Sequence, residues 1–213
     1  LLLITNIPSP YRIPLFNRLS IDKDMDLRIV FLSKSEGNRQ WEVDEGKFEF
    51  DYRILGGWHW FFDRWEVPLH LNLGIIRQLL QFKPTVVISM GYDAPVYWQA
   101  AMYCKLRRIS HLIWSGSTLA SARQSTGVIG WLKRTIIGMS NGYVAYGSEA
   151  KEYLEYLGAD PNRVHIAINT VDMNWFRDQS ENIRNQRDFR YSRSMYPKFL
   201  LLYSGRLTSR KGI

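Results

Sequence analysis

Val86-Val87-Ile88-Ser89-Met90 opens the stretch that decides the fold. Its continuous apolarity predicts a strand that is buried on both faces of a sheet. A helix should follow, with Asp93 as its amino-terminal cap and its end near Arg108. The run His111-Leu112-Ile113-Trp114 then predicts a second strand. Two strands joined by such a helix form a parallel pair, so the stretch predicts one βαβ unit.

The same alternation of apolar runs and amphipathic stretches continues in both directions. Strands are predicted over 1–7, 27–32, 48–55 at the sheet edge, 86–90, 111–114, 143–146 and 164–168. Helices are predicted over 11–19, 71–82, 93–108, 128–139 and 148–157. Gly56-Gly57 opens a loop over 58–65 that is rich in aromatic residues. The predicted fold class is α/β, a Rossmann-like parallel sheet with helices on both faces.

The composition limits the classes of protein to consider. Hydrophobic residues make up 46% of the 213 residues and charged residues 23%, which is typical of a soluble globular domain. A single cysteine, Cys104, excludes an internal disulfide framework and favours the reducing cytoplasm. No stretch approaches the roughly 20 apolar residues of a membrane span. Any membrane contact is therefore expected to be peripheral.

The net charge of +8 raises the question of an anionic partner. Lys and Arg neutralise phosphates, so nucleic acid is one class to consider. The cations are spread along the chain, with local concentration at Arg107-Arg108 and over 177–193, and no RNA-binding motif accompanies them. We therefore favour a solvated basic face, anionic lipid headgroups or a phosphorylated substrate, and predict no nucleic-acid partner.

The end of the sequence carries a second signal. The apolar run 198–204 predicts a strand, Gly205-Arg206 follows it, and Lys211-Gly212 come just before Ile213. A turn from a strand into a helix start, with two cations beside it, suits a diphosphate because helix N–H groups also favour negative charge. We expect a piece of a longer protein, in which a nucleotide-handling domain begins here. The predicted division is a first domain over 1–176, an Arg-rich linker over 177–197, and the start of a second domain over 198–213.

Ligands of open parallel sheets bind beyond the carboxyl ends of the strands. This rule selects the loops 6–12, 91–93, 115–118, 147–149 and 169–172, which could all face one cleft. The candidate ligand-binding side chains in these loops are Ser9, Tyr11, Arg12, Tyr92, Asp93, Ser115, Ser117 and Thr118. Trp60 in the aromatic loop is a further candidate for stacking on a sugar. Packing beneath the loop and shallow insertion into a lipid interface stay open as alternatives for that loop.

Several motifs in the last third of the chain occur in a known order and spacing. They are Tyr143-Val144-Ala145-Tyr146-Gly147-Ser148-Glu149-Ala150-Lys151, Leu157-Gly158, Arg163-Val164, Asn169-Thr170-Val171-Asp172 and Phe176, followed by Gly205-Arg206-Leu207 and Lys211-Gly212. Together they resemble the family-4 retaining glycosyltransferases of GT-B fold. Asn6-Ile7-Pro8-Ser9-Pro10-Tyr11-Arg12 resembles one branch of that family. The resemblance implies two Rossmann-like domains, of which this chain is the N-terminal half, facing a deep cleft.

The resemblance also implies roles for the candidate residues. The first domain would mainly bind the acceptor, which assigns the loop candidates and Trp60 to acceptor binding. Gly205, Arg206 and Lys211 would bind the donor diphosphate, and the two cations would stabilise charge on the leaving nucleotide.

Two positions depart from the family pattern. Arg210 stands where Glu is common, which makes the turn more basic. Ser115-Gly116-Ser117-Thr118 stands where the family commonly carries a functional histidine. His111 lies at the other end of that strand, where a core or edge histidine is expected. Asp172 in the last motif is expected to cap a turn.

The predicted function is retaining hexosyl transfer from a nucleotide-diphosphate sugar to a glycan, a lipid-linked or another acceptor, in polysaccharide biosynthesis of the cell envelope. This chain would be the N-terminal portion and inactive alone. The nucleotide sugar is a substrate, and neither a cofactor nor a metal is expected. The expected location is the cytoplasm, with a peripheral contact to the anionic cytoplasmic face of the membrane.

Two alternatives stay open. The first is a non-catalytic Rossmann-like binding module for a membrane surface or an anionic partner. The second is a GT-B-type sugar-nucleotide epimerase, which should lack the arrangement of Gly205-Arg206 and Lys211.

Overall fold

The computed structural model describes residues 1–36, 43–62, 67–121, 126–186, 201 and 203. The chain divides into two compact units, Leu1–Val171 and Asp172–Ile213. The first unit contains a parallel sheet and its flanking helices. The described part of the second unit contains one helix.

The elements alternate along the first unit much as the sequence predicts. The strands are β1 (Leu2–Thr5), β2 (Arg28–Phe31), β3 (Asp51–Ile54), β4 (Trp58–Phe62), β5 (Val67–Leu71), β6 (Val86–Ser89), β7 (Ser110–Ser115), β8 (Gly142–Ala145) and β9 (Val164–Ile166). The helices are α1 (Ile13–Ser20), α2 (Ile75–Phe82), α3 (Pro95–Arg107), α4 (Gly127–Met139) and α5 (Ser148–Tyr156), with α6 (Met173–Asn185) in the second unit. Short 3-10 turns lie at Glu45–Lys47 and Pro161–Arg163.

The seven strands of the main sheet run in the order β3-β2-β1-β6-β7-β8-β9, and every neighbouring pair is parallel. The order changes direction between β1 and β6, because the chain builds outward from β1 to β3 and then crosses back. Leu2 pairs with Arg28 on one side and with Val87 on the other. This is the doubly wound arrangement, whose ligand sites lie at the carboxyl ends of the strands where the order reverses.

Helices cover both faces of the sheet, as predicted. Leu2 and Ile4 of β1 belong to a core cluster with the buried residues of α2, α3, α4 and α5. Leu3, between them, belongs to a second cluster with Ile13 and Phe16 of α1. Successive strand residues point to opposite faces, so α1 lies on one side of the sheet and α2 to α5 lie on the other. Each fully buried aliphatic or aromatic side chain contributes about 1.5–3 kcal/mol of transfer free energy.

The predicted aromatic loop over 58–65 is wrong for its first part. Residues Trp58–Phe62 form β4, which pairs antiparallel with β5, so that Trp58 lies opposite Leu71. Leu71 is therefore the end of a strand rather than the start of the predicted helix, and α2 begins at Ile75. The buried Asn72 fixes this corner, because its Nδ2 donates to the backbone oxygens of Leu32 at 2.8 Å and Gly56 at 3.2 Å.

The start of α3 also differs from the prediction. Asp93 is exposed and does not cap the helix; Ala94 occupies the cap position and makes no side-chain cap hydrogen bond. Pro95 in the first turn explains the difference, since its ring presets the helical φ and it has no N–H to satisfy.

In the second unit, α6 covers residues that the sequence analysis assigned in part to the Arg-rich linker. Asp172 caps it as expected, with its Oδ1 accepting from the backbone N–H of Trp175 at 3.0 Å. The rest of the predicted linker, from residue 187 onward, lies outside the described residues. In the described part of the chain no helix is long and apolar enough to cross a membrane.

Candidate functional site

The carboxyl ends of β1, β6, β7 and β8 lie side by side at one edge of the sheet. The loops that follow these strands contain seven of the nine candidate acceptor-binding residues, and an eighth, Ser115, is the last residue of β7. The shared edge is a direct consequence of the parallel register, because every strand ends in the same direction.

Arg12 connects three of these strand ends. Its Nη2 donates to the Tyr146 hydroxyl after β8. Its Nη1 lies 3.5 Å from Thr5 Oγ1 at the end of β1 and 3.2 Å from Met90 Sδ after β6. The guanidinium carbon also lies 5.7 Å from the Tyr146 ring centroid and 5.8 Å from that of Tyr11. A rigid planar cation held from three directions is well suited to present its remaining N–H groups to a ligand.

All of these contacts are with neutral groups. No ion pair joins Arg12 to a carboxylate in the described residues. Its Nε is buried and has no hydrogen-bond partner. A partly buried cation without a direct ion pair favours an anionic group beside it, because Coulomb attraction is stronger where water is partly excluded.

Tyr146 shapes the loop after β7 as well as holding Arg12. A Cβ at Gly116 would overlap the Tyr146 ring, so the small residue lets the ring lie on the loop backbone. Trp114 packs edge-on against the same ring, with 6.2 Å between centroids. Burial raises the pKa of the Tyr146 phenol, and the Arg12 cation partly offsets this effect. Tyr146 was not predicted as a site residue, because in the sequence it is the last residue of the predicted strand 143–146.

Tyr92, after β6, interacts with the loop after β7. It is buried, and its phenol lies close enough to the Ser117 and Ser115 side chains for these to lower its pKa. Burial raises the pKa of Tyr92 to about 12, which its serine partners partly oppose. The phenol therefore stays neutral at physiological pH and serves as a hydroxyl. The backbone N–H of Ser117 donates to Ser115 Oγ at 3.2 Å, which orders the loop.

Tyr97 of α3 is a second residue that the sequence analysis missed. It is fully buried, and its hydroxyl donates to Asn6 Oδ1 at 2.5 Å. Burial raises the pKa of Tyr97 well above its ordinary value. This hydrogen bond ties the loop after β1 to α3 and so helps to hold Arg12 in place.

The other candidates take less central positions. Ser9 is buried, and its backbone oxygen accepts from the N–H of Arg12 at 2.8 Å. Tyr11 and Asp93 are exposed at the same edge. The Thr118 hydroxyl lies 3.2 Å from Ser121 Oγ, inside a local turn.

The structure does not describe the side chains of the remaining predicted site residues, so they are not included in this cluster. Trp60 lies in β4 opposite Leu69, and its side chain is outside the described part of the structure. The predicted donor residues Gly205, Arg206 and Lys211 also lie outside it. Their roles stay predictions.

His111 is a core residue, one of the two positions that the sequence analysis considered. It is 1% exposed and lies between Ser89 Oγ at 2.9 Å and Ser140 Oγ at 3.0 Å. The Ser140 hydroxyl donates to the backbone oxygen of Ile136 at 3.0 Å, so it accepts from His111 Nδ1–H, and Nε2 accepts from Ser89. Burial lowers the pKa of His111 to about 4. The imidazole is therefore neutral and structural.

The cluster is built for binding. It offers one cation, neutral hydroxyls and aromatic rings, which suit an anionic group next to sugar hydroxyls. Two surface cavities of about 440 and 470 Å³ lie elsewhere, beside β3 and at the amino ends of β1 and β6. The described residues contain no group of three or more His, Cys, Asp or Glu that could hold a metal ion.

No family model matches the sequence, and no curated protein matches it. Three solved structures of HepE from Anabaena match the fold. They are its complexes with UDP and glucose (TM-score 0.56, 9% identity), with UDP (0.55, 8%) and with UDP-glucose (0.54, 8%). Each alignment covers 87% of this chain and 50% of the HepE chain, so this chain spans about half the length of HepE. At this identity the likeness shows the fold alone, a Rossmann-like α/β domain that matches half of a GT-B structure.

Proposed function

We propose that this chain is the acceptor-side domain of a retaining glycosyltransferase resembling family 4. The whole protein would move a hexosyl group from a nucleotide-diphosphate sugar to a glycan or lipid-linked acceptor. The observation that carries the proposal is the cluster around Arg12 at the carboxyl edge of the sheet. Support comes from the fold shared with HepE, which was solved with UDP, with UDP and glucose, and with UDP-glucose.

Each part of the cluster has a role in this proposal. Arg12 binds an anionic group of the acceptor, since its guanidinium has only neutral partners among the described residues. Ser117 and Tyr92 offer hydroxyls to the acceptor sugar. Arg206 and Lys211 bind the donor diphosphate, as the motif resemblance implies. The division of acceptor and donor between two domains makes the 213 residues inactive alone.

The test is a transfer assay with the full-length parent protein. Radiolabelled nucleotide sugars are offered with candidate acceptors, and NMR of the product gives the anomeric configuration. Arg12→Gln is expected to lower transfer about tenfold or more, because it removes a charge-assisted hydrogen bond. Arg18→Gln is the matched control, since Arg18 is an exposed cation of α1 and is expected to have no effect.

Three results would contradict the proposal. An inverted anomeric centre would remove the retaining assignment. An epimerised nucleotide sugar, formed without acceptor, would favour the epimerase alternative. Micromolar binding of a nucleotide sugar to residues 1–213 in calorimetry would contradict the division of labour between the two domains.

A further inference from the structure

The surface of α3 and α4 has an unusual charge pattern. Between Asp93 and Glu149 the sequence contains no acidic residue. The same stretch contains six cations: Lys105, Arg107, Arg108, Arg123, Lys133 and Arg134. Both helices lie on the same side of the sheet and contact each other. We call their outward surface the α3–α4 face; its described residues are Met102, Lys105, Leu106, Arg107, Arg108, Val128, Ile129, Trp131, Leu132 and Arg134.

α4 carries an apolar stripe that points away from the core. Val128 is 74% exposed, Trp131 62% and Leu132 38%. These positions are three and four residues apart, so they share one side of the helix. Ile136 and Ile137 are buried against the sheet on the other side. α4 therefore has two apolar sides, of which only one is used by the core.

α3 continues the pattern next to α4. Met102 is 54% exposed and Leu106 is 81% exposed, and Lys105 lies between them on the same side of the helix. Arg107 and Arg108 follow at the end of the helix, and both are exposed. Apolar and cationic side chains thus alternate on this surface.

The charge of the face is not neutralised within the described residues. No ion pair there involves Lys105, Arg107 or Arg108. Arg134 has neutral partners only: its Nη1 donates to the Tyr156 backbone oxygen at 2.8 Å, and its guanidinium carbon lies 4.9 Å from the Tyr156 ring centroid. A negatively charged partner surface would gain attraction without first breaking an internal ion pair.

We propose that the α3–α4 face docks on an anionic lipid surface. Val128, Trp131 and Leu132 enter the boundary between headgroups and acyl chains, where a tryptophan ring is favoured. The cations contact lipid phosphates. An exposed aliphatic stripe favours lipid over nucleic acid, since phosphate and base contacts would leave Val128 and Leu132 in water. The proposal is independent of glycosyl transfer and holds for a non-catalytic protein as well.

The experiment is sedimentation of the 213-residue chain with vesicles of phosphatidylcholine, with and without 30% phosphatidylglycerol. Binding is expected only with the anionic lipid and should fall steeply with salt. Lys105→Glu/Arg107→Glu is expected to lower the partition coefficient about tenfold or more. Arg18→Glu/Lys23→Glu is the matched control, because it changes the net charge equally at exposed positions of α1 and of the turn that follows it. It should retain most of the binding.

A second pair of variants tests the apolar stripe. Val128→Ser/Trp131→Ser is expected to weaken binding about tenfold, whereas Ile21→Ser, at another exposed position, should leave it unchanged. Circular dichroism checks that each variant is folded. The proposal is overturned if the chain does not bind anionic vesicles at low salt, or if the Arg18/Lys23 control loses as much binding as the Lys105/Arg107 variant. If Trp58→Ser lost more vesicle binding than any other variant, membrane contact would be assigned to the β4–β5 pair of strands, and the proposal for the α3–α4 face would equally be overturned.

Discussion

The buried His111 should make the stability of this protein fall at mildly acidic pH. The neutral imidazole donates to Ser140 and accepts from Ser89, and it is 1% exposed. A proton added at Nε2 would remove this acceptor and leave a charge in the core. Folding therefore opposes protonation of His111, and its pKa falls from 6.5 to about 4.

The magnitude follows from the two pKa values. Above pH 6.5 both the folded and the unfolded imidazole are neutral, so His111 causes no pH dependence there. As the pH falls below 6.5, the unfolded chain binds a proton that the folded chain still refuses, and stability is lost. The loss is about 2 kcal/mol at pH 5 and levels off at about 3 kcal/mol below pH 4, where both states are protonated.

The assay is urea unfolding followed by circular dichroism at pH 8 and pH 5. His111→Gln keeps a donor and an acceptor but does not titrate, so its loss of stability between the two pH values should be about 2 kcal/mol smaller than that of the unsubstituted chain. His165→Gln, which removes an exposed imidazole, is the matched control. Equal losses in the unsubstituted chain and in His111→Gln would refute the reasoning.

Three further substitutions test local features. Gly116→Ala should lower the free energy of unfolding in urea by about 1–3 kcal/mol, because the added Cβ meets the Tyr146 ring. Gly56→Ala is its control, since a Cβ there meets nothing within 4 Å, and equal effects of the two variants would contradict the close approach of Gly116 and Tyr146. Gly138→Ala in α4 also meets open space and should stabilise the protein by about 0.5–1 kcal/mol, seen as a higher melting temperature; a lower one would count against it. Asp172→Ala should speed amide exchange in the first turn of α6 by a factor that corresponds to about 1 kcal/mol of local opening free energy. Asp172→Asn, whose side-chain oxygen can still accept the hydrogen bond, should leave the exchange rate nearly unchanged.

The strands and helices of the sheet follow largely from local sequence. β6 and β7 each contain three consecutive apolar residues, Val86-Val87-Ile88 and Leu112-Ile113-Trp114, so their prediction does not depend on which face is buried. Gly158 ends α5 with a φ of +104°, a conformation that glycine adopts without strain. Such signals need no knowledge of distant residues.

One error arose where residues beyond the local run decide the structure, and another where neighbouring signals compete. The aromatic run beginning at Trp58 became a strand because residues 67–71 pair with it, and no local property of the run indicates that pairing. Ala94 rather than the predicted Asp93 occupies the cap position of α3, because Pro95 begins the helix. The free-energy difference between two neighbouring cap positions is only about 1 kcal/mol, so the sequence alone does not show which residue caps the helix.

By itself, the sequence determined the α/β class, the parallel sheet and the set of loops at its carboxyl edge, because these depend on periodicity and on the common direction of the strands. Only the tertiary structure decided which side chains meet there. The Tyr146 hydroxyl binds Arg12 across 134 residues of sequence, and the Tyr146 ring lies on Gly116. Such contacts depend on strand order and on side-chain direction, which no local pattern encodes. The same reason explains why His111 could be placed between two serines only after the chain was folded.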